Sequence, residues 1–299
     1  MFYMKYYEYN YTKKFKCIAD RCTHSCCIGW EIDIDEDTLQ LYNSLQGKFA
    51  DRIRENIEGE TPHFVLGSDE RCPFLNKNGL CDIILQLGEG ALCDICTLHP
   101  RFSNFYEDFT ETGLGLCCEE AVRLVLTSEE KFSLDLPDTA KNDAFFRERQ
   151  EVFDLLQNRK ATMLERFDRL SGKYGYKFEF SNSALYDFYM SLERLDDAWE
   201  NILSKLEKAQ ERNVFEREDL QIFFEQLSCY FVFRHFEKGV GFALISCYVI
   251  GMICLQCDTF DEMLDVVRMY SCEIEYSEEN TQRVAESVMS LQGKLNELP

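Results

Sequence analysis

Ten of the chain's fifteen cysteines fall between Cys17 and Cys118, in three groups. Cys17, Cys22, Cys26 and Cys27 open the run; Cys72, Cys81, Cys93 and Cys96 continue it; Cys117 and Cys118 close it. Thiols at this density suit two chemistries. Thiolates converge on a soft metal ion or an iron–sulfur cluster, and a closed site of that kind ties together loops that bury little apolar surface. Alternatively, the sulfurs pair as disulfides. The odd total and the adjacent pairs Cys26–Cys27 and Cys117–Cys118 are awkward for ordinary bridges. A chain of 299 residues also needs no staple to build a core. The opening MFYMKYYEYNYTKKFKC mixes tyrosines with lysines and lacks an apolar run leading to a small-residue cleavage site. It is not read as a signal peptide, and the chain is expected in the cytoplasm, where thiols stay reduced and free to ligate.

The spacing within the groups adds detail. Cys93 and Cys96 have the two-residue separation that lets both sulfurs reach one centre. Asn78-Gly79 is a tight-turn signal, placing Cys72 and Cys81 on either side of a small hairpin or knuckle. His99 reads equally as a ligand and as a structural ring. Cys118 stands where a helix is expected to start and the helix dipole favours a thiolate, whereas Cys117 reads as packing. Cys254 and Cys257 repeat the two-residue separation inside a helical run without a second pair nearby, and read as buried thiols. Phosphate-binding glycine loops and the nucleophile elbow are absent, so no motif marks a nucleotide or cofactor pocket. Cys22-x3-Cys26 supplies only the first half of the C-x3-C-x2-C spacing of radical S-adenosylmethionine enzymes. A formal charge of −22 opposes a nucleic-acid partner. It favours solubility, and would also attract a lysine-bearing substrate.

Several elements must position these residues. The tyrosine-rich start (Tyr3, Tyr6, Tyr7, Tyr9, Tyr11) reads as an edge strand or extended arm. Alternation over Trp30–Asp35 predicts a short strand. Leu39, Tyr42, Leu45, Phe49, Ile53 and Ile57 recur at helical spacing and predict one helix from Asp35 to about Ile57, capped by Asp35 or Asp37. Another short helix is expected over Asp82–Leu87, ended by Gly88 and Gly90. Downstream the pattern is helical: a long segment from Pro137 to about Gly172, then Ser183–Ala209, Arg217–Lys238, Thr259–Cys272 and Glu278–Leu295. Gly239–Cys257 has nineteen residues without a formal charge. It is too polar for a membrane span and is read as the buried central helix of a bundle. The expected fold is mainly α: a cysteine-rich, metal- or cluster-binding region with short strands over 1–126, followed by an α-helical bundle over 127–299.

Four blocks, CIADRCTHSCCIGWEIDID, CPFLNKNGLC, LGEGALCDICTLHPRF and LCCEEAVRLVL, together resemble the flagellin lysine N-methylase family, which is related through its cysteine core to small zinc- or iron-chelating proteins. The resemblance implies an enzyme that methylates flagellin lysines from S-adenosylmethionine and binds a 4Fe-4S cluster through its cysteines. By position it implies Cys17, Cys22, Cys26, Cys27, Cys72, Cys81, Cys96 and Cys118 as candidate metal ligands. Cys93 and Cys117 fall outside the family's pattern. Arg101 in the HPRF block matches it and is the candidate for holding an anionic group of the cofactor, such as a carboxylate, by a bidentate contact, a role it shares equally with that of a structural salt bridge. Eight candidates exceed the four ligands of one 4Fe-4S cluster, leaving room for structural thiols or a second centre. The competing reading is a non-enzymatic protein holding zinc or iron; a purely structural bundle would leave the cysteines unexplained.

Overall fold

A computed structural model describes residues 5–177, 181–209 and 214–295, with side chains as far as residue 288. Tyr3 of the tyrosine-rich start lies outside the described residues. In chain order the first regular element is strand β1 (Lys5–Glu8). The cysteine groups follow on α1 (Glu36–Ser44), α2 (Lys48–Glu55), β2 (Ile57–Glu58), β3 (His63–Phe64), α3 (Asp82–Leu87) and α4 (Asp94–Leu98), with the loops between them. Strands β4 (Arg101–Phe105) and β5 (Phe109–Leu114) lead into α5 (Glu119–Leu126). The remainder is helical: α6 (Asp138–Asn142), α7 (Ala144–Leu156), α8 (Met163–Tyr174), α9 (Asn182–Met190), α10 (Ala198–Lys208), α11 (Gln221–His235), α12 (Val240–Cys254), α13 (Phe260–Tyr270) and α14 (Glu278–Leu295).

Contacts divide the chain into two compact units, Lys16–Phe102 and the described residues on either side of it. Strand β5 and helix α5, which the sequence reading grouped with the cysteines, therefore belong to the helical unit. Strand pairing explains this. Residues Lys5 to Glu8 of β1 lie parallel to Phe109–Thr112 of β5, in a three-stranded sheet of order β1-β5-β4. β1 is thus an edge strand, as its tyrosine-rich pattern suggests, and it draws the chain's start to the helical unit.

Within Lys16–Phe102 the core is formed by Ile32, Ile34, Tyr42, Ile53, Phe64, Phe74 and Ile83, with Cys72 and Cys93 among them. Asp35 caps α1, its carboxylate accepting from Thr38 N at 2.9 Å. The single helix expected over 35–57 is two, because Gly47 between them has φ +99°, a left-handed backbone a helix cannot contain. Both helices bury the same apolar spacing, so periodicity alone does not show the break. The strand expected at Trp30–Asp35 is reduced to one bridge, Asp33 with His63. The alternation is still realised in burial, since Ile32 and Ile34 point inward. Helix α3 has the bounds its sequence predicts, and Gly88 ends it.

In the helical unit, β5 is buried along its whole length. Its Glu111 is fully buried and is paired with the equally buried Arg149 of α7, Nη1 lying 2.8 Å from Oε2. Phe146, Phe153 and Phe233 surround that guanidinium. The long segment predicted from Pro137 is three helices, the last opened by a Thr162–Glu165 capping box. The expected helix over 183–209 is split into α9 and α10, because Leu195 and Asp196 turn their backbone N–H groups onto the buried Glu273 carboxylate at 2.9 and 2.7 Å. Helix α12 is buried on nearly all sides and packs on α11, as its uncharged sequence implies. No described helix is long and apolar enough to cross a membrane. Helix α13 runs into a π turn (Ser271–Glu275) whose Glu275 accepts from Tyr230 OH at 2.9 Å and lies 2.7 Å from His235 Nε2.

The Glu111–Arg149 pair gives a stability prediction. Glu111→Ala strands a buried guanidinium and is expected to cost about 3–5 kcal/mol in urea denaturation, whereas replacing both residues by Leu and Met is expected to cost far less. Equal losses for the single and double variants would show that the ion pair does not govern the packing there.

Candidate cysteine site

The knuckle between Cys72 and Cys81 organises the thiols of Lys16–Phe102. Asn76 N donates to Leu80 O at 2.9 Å, and the Asn76 side-chain oxygen accepts from Asn78 N and Leu80 N at 2.9 and 3.2 Å. Gly79 sits at the tip with φ +75°, and a Cβ there would lie 3.3 Å from Asp20 Cα. Glycine therefore provides the turn and lets the Cys17–Cys22 loop lie across it. Bridge pairing of Leu75 with Cys81 closes the knuckle. Arg71 straps it from one side, donating to Leu75 O and Asn76 O at 3.3 and 2.8 Å. On the other side Arg52 donates to Asp82 and Pro73 O at 2.8 and 2.6 Å.

Two further segments bring thiols to the same core. Cys72 N donates to Cys27 O at 2.8 Å, and Gly29 N to Glu70 O at 3.0 Å, so residues 27–29 run beside 70–72. Cys93 stands at the N-cap position of α4, and one turn later Cys96 brings its sulfur within 3.4 Å of the Cys93 sulfur. Helix α4 is held by Asp35, which accepts from Asp94 N at 2.8 Å while capping α1, and the segment before it by Tyr42, whose hydroxyl donates to Ala91 O at 2.7 Å. Cys27, Cys72, Cys81, Cys93 and Cys96 thus line one apolar core.

Their protonation reflects that setting. A hydrogen bond from Cys26, helped by Ser25 and by the Arg71 guanidinium, lowers Cys27 to about 7 against the opposing effect of burial. Burial pushes Cys72 up to about 11 and also raises Cys81. Cys93 and Cys96 share one hydrogen bond, which holds Cys93 down and drives Cys96 strongly up. Such a set can hold one or two negative charges by itself; more require a cation. Soft, buried thiols in this number suit an iron–sulfur cluster or zinc in chemical type. As the side chains stand, no group of three or more His, Cys, Asp or Glu among the described residues forms a metal-ligand set. The backbone already fixes Cys27 beside Cys72 and Cys93 one turn from Cys96, leaving side-chain rotation as the adjustable variable.

The remaining candidates are placed differently. Cys26 is adjacent to the group and hydrogen-bonds Cys27, and its carbonyl accepts from Trp30 Nε1. Cys17 is exposed, with Ala19 N 3.4 Å from its sulfur, and Cys22 donates to His24 O at 3.3 Å; neither belongs to the buried group. Cys118 lies in the helical unit at the N-cap of α5. Cys117, in the same unit, bonds Tyr276 OH at 2.9 Å and is pushed up to about 12 by burial. His99 lies against Trp30, its pKa lowered by burial, and Arg101 opens β4. Cys93 is the thiol the family pattern set aside and the structure places inside the group; its spacing to Cys96 was the available signal. Arg71, immediately before Cys72, was marked by no motif.

No family model matches the chain, and no solved structure matches it. It is 24% identical over 160 residues to "Lysine-N-methylase" of Salmonella typhimurium, and 24% identical over 156 residues to the protein of that name from Salmonella choleraesuis. It is also 26% identical over 131 residues to "Flagellar biosynthetic protein FliU" of Salmonella muenchen. Over less than half of its length the chain is thus similar to proteins named lysine-N-methylase. These stretches cover 48%, 47% and 40% of this chain respectively. They span 39% and 38% of the two lysine-N-methylases, so the chain covers about two fifths of their length, and 76% of FliU.

Asp35 supports the cysteine core by capping one helix and anchoring another. Asp35→Ala is expected to destabilise Lys16–Phe102 by about 1–2 kcal/mol and Asp35→Asn by less, since the amide oxygen still accepts. Amide hydrogen exchange across α1 and α4 reads the effect, and unchanged protection in both helices would contradict it.

Proposed function

We propose that the chain carries the cysteine-bound centre of a protein-lysine N-methyltransferase acting on flagellin, with S-adenosylmethionine as methyl donor and a 4Fe-4S cluster as the centre, working in the cytoplasm. The observation that supports this reading is the convergence of Cys27, Cys72, Cys81, Cys93 and Cys96 on one apolar core in a chain similar over part of its length to proteins named lysine-N-methylase. Four of these five thiols satisfy such a cluster. When bound, it supplies one-electron chemistry.

The chain's own residues do the rest. Ile32, Ile34, Tyr42 and Phe74 keep water from the sulfurs, and Arg71 offsets part of their charge at Cys27. Arg101 is the proposed holder of the methyl donor's carboxylate through a bidentate contact. Methyl transfer requires the lysine amine to be neutral and in line with the methyl group, so the site must take a proton before or during transfer. The net charge of −22 favours the approach of a lysine-bearing substrate.

The same thiols would also suit zinc in a non-enzymatic chelator, because a closed four-sulfur site is a common structural arrangement for that ion. Metal and acid-labile sulfide analysis of anaerobically purified protein, together with mass spectrometry of co-expressed flagellin, separates the two readings. The proposal expects iron with sulfide, lost in Cys72→Ser and Cys96→Ser but kept in Cys247→Ser, and methylated flagellin lysines that disappear with Cys96→Ser. Zinc without sulfide, accompanied by unmodified flagellin, would overturn it.

A further inference from the structure

Cys254 and Cys257 form a second arrangement of thiols, within the helical unit. Helix α12 ends at Cys254, so Cys257 lies beyond the helix rather than in it. Cys257 N donates to Cys254 O at 3.1 Å. A turn of that kind keeps its first and fourth Cα atoms within about 7 Å, and disulfides form over Cα separations of about 4.4–6.8 Å. The two side chains are already hydrogen-bonded to each other.

The pair is asymmetric. Cys254 is fully buried, whereas Cys257 is partly exposed. Lys205 of α10 brings Nζ to 3.7 Å from the Cys257 sulfur, and the same ammonium lies 4.0 Å from Glu262. The hydrogen bond from Cys254, followed by the Lys205 charge, holds Cys257 at about 7 although burial and Glu262 push it upward. Burial keeps Cys254 protonated. A reachable thiolate backed by a sheltered thiol is the division of labour between an attacking and a resolving cysteine.

We propose that Cys254 and Cys257 form a reversible dithiol–disulfide site that takes a low-molecular-weight disulfide of the glutathione class as its oxidant. The Cys257 thiolate attacks one sulfur of that disulfide, forming a mixed disulfide and releasing one thiolate. Cys254 then attacks the Cys257 sulfur, its proton passing to the second departing thiolate. The chain loses two electrons and the small disulfide becomes two thiols. This assignment is independent of the proposed methyl transfer.

The test exposes the reduced full chain to oxidised glutathione, blocks remaining thiols with iodoacetamide and maps residues 254–257 by tandem mass spectrometry. Wild type is expected to give the internal disulfide, Cys254→Ser to stop at glutathione on Cys257, and Cys257→Ser to leave Cys254 unmodified. Lys205→Gln is expected to slow the first step at pH 7 by less than the roughly fifteenfold loss of thiolate that a full return to the ordinary pKa near 8.5 would bring, since the Cys254 hydrogen bond, the larger lowering influence, remains. Persistence of the mixed disulfide in wild type, or free thiols at both positions while the exposed Cys17 is glutathionylated, would overturn the proposal. If Cys254→Ser disturbs the core, wild type and Lys205→Gln still decide the matter.

Discussion

Five thiols share one apolar core, and the charge they can carry is the constraint on everything around them. Two thiolates about 5 Å apart repel by roughly 3 kcal/mol at the effective dielectric of a protein interior. A hydrogen bond from Cys26 lowers Cys27, with the Arg71 guanidinium adding a smaller share. The core is consistent in two ways, with protons on most of the sulfurs or with a soft cation among them. The second is the one proposed above. The knuckle, its two arginine straps, the Cys27–Cys72 hydrogen bond and the Asp35 link between α1 and α4 all fix backbone positions of sulfur-bearing residues.

The helical unit meets a related problem by different means. Glu111, Glu225 and Glu275 are buried carboxylates, each answered by arginine: Arg149 for the first, Arg159 and Arg166 for the second, Arg234 with His235 for the third. Such pairs contribute little net stability compared with apolar packing, but they penalise any arrangement of helices that separates them. Glu275 and Glu273 also hold the π turn between α13 and α14, and Glu273 accounts for the break between α9 and α10.

Much of this was legible in the residues where local chemistry decides the outcome. Asp82–Leu87 is bounded by a knuckle and a glycine, Asn78-Gly79 makes the expected turn, Asp35 caps α1, and uncharged α12 is buried. Breaks imposed by tertiary contacts were not legible. Leu195 and Asp196 leave helical geometry for a carboxylate nearly eighty residues away in sequence. The apolar spacing through Gly47 continues because α1 and α2 face one core. Among the candidate ligands, Cys27, Cys72, Cys81 and Cys96 pack against one core. Cys17 and Cys22 were identified from the same dense run but lie outside the buried group, since proximity in sequence does not oblige a loop to turn its sulfurs inward. Cys93, which falls outside the family's pattern, packs in the same core with its sulfur beside that of Cys96.

The central claim is that the sulfurs of Lys16–Phe102 surround a soft inorganic centre. X-ray absorption at the metal edge of the purified chain reads the first coordination shell directly. The account predicts a shell dominated by sulfur at about 2.3 Å. A shell of nitrogen and oxygen, or a chain that retains no metal when isolated without oxygen or chelators, would contradict it.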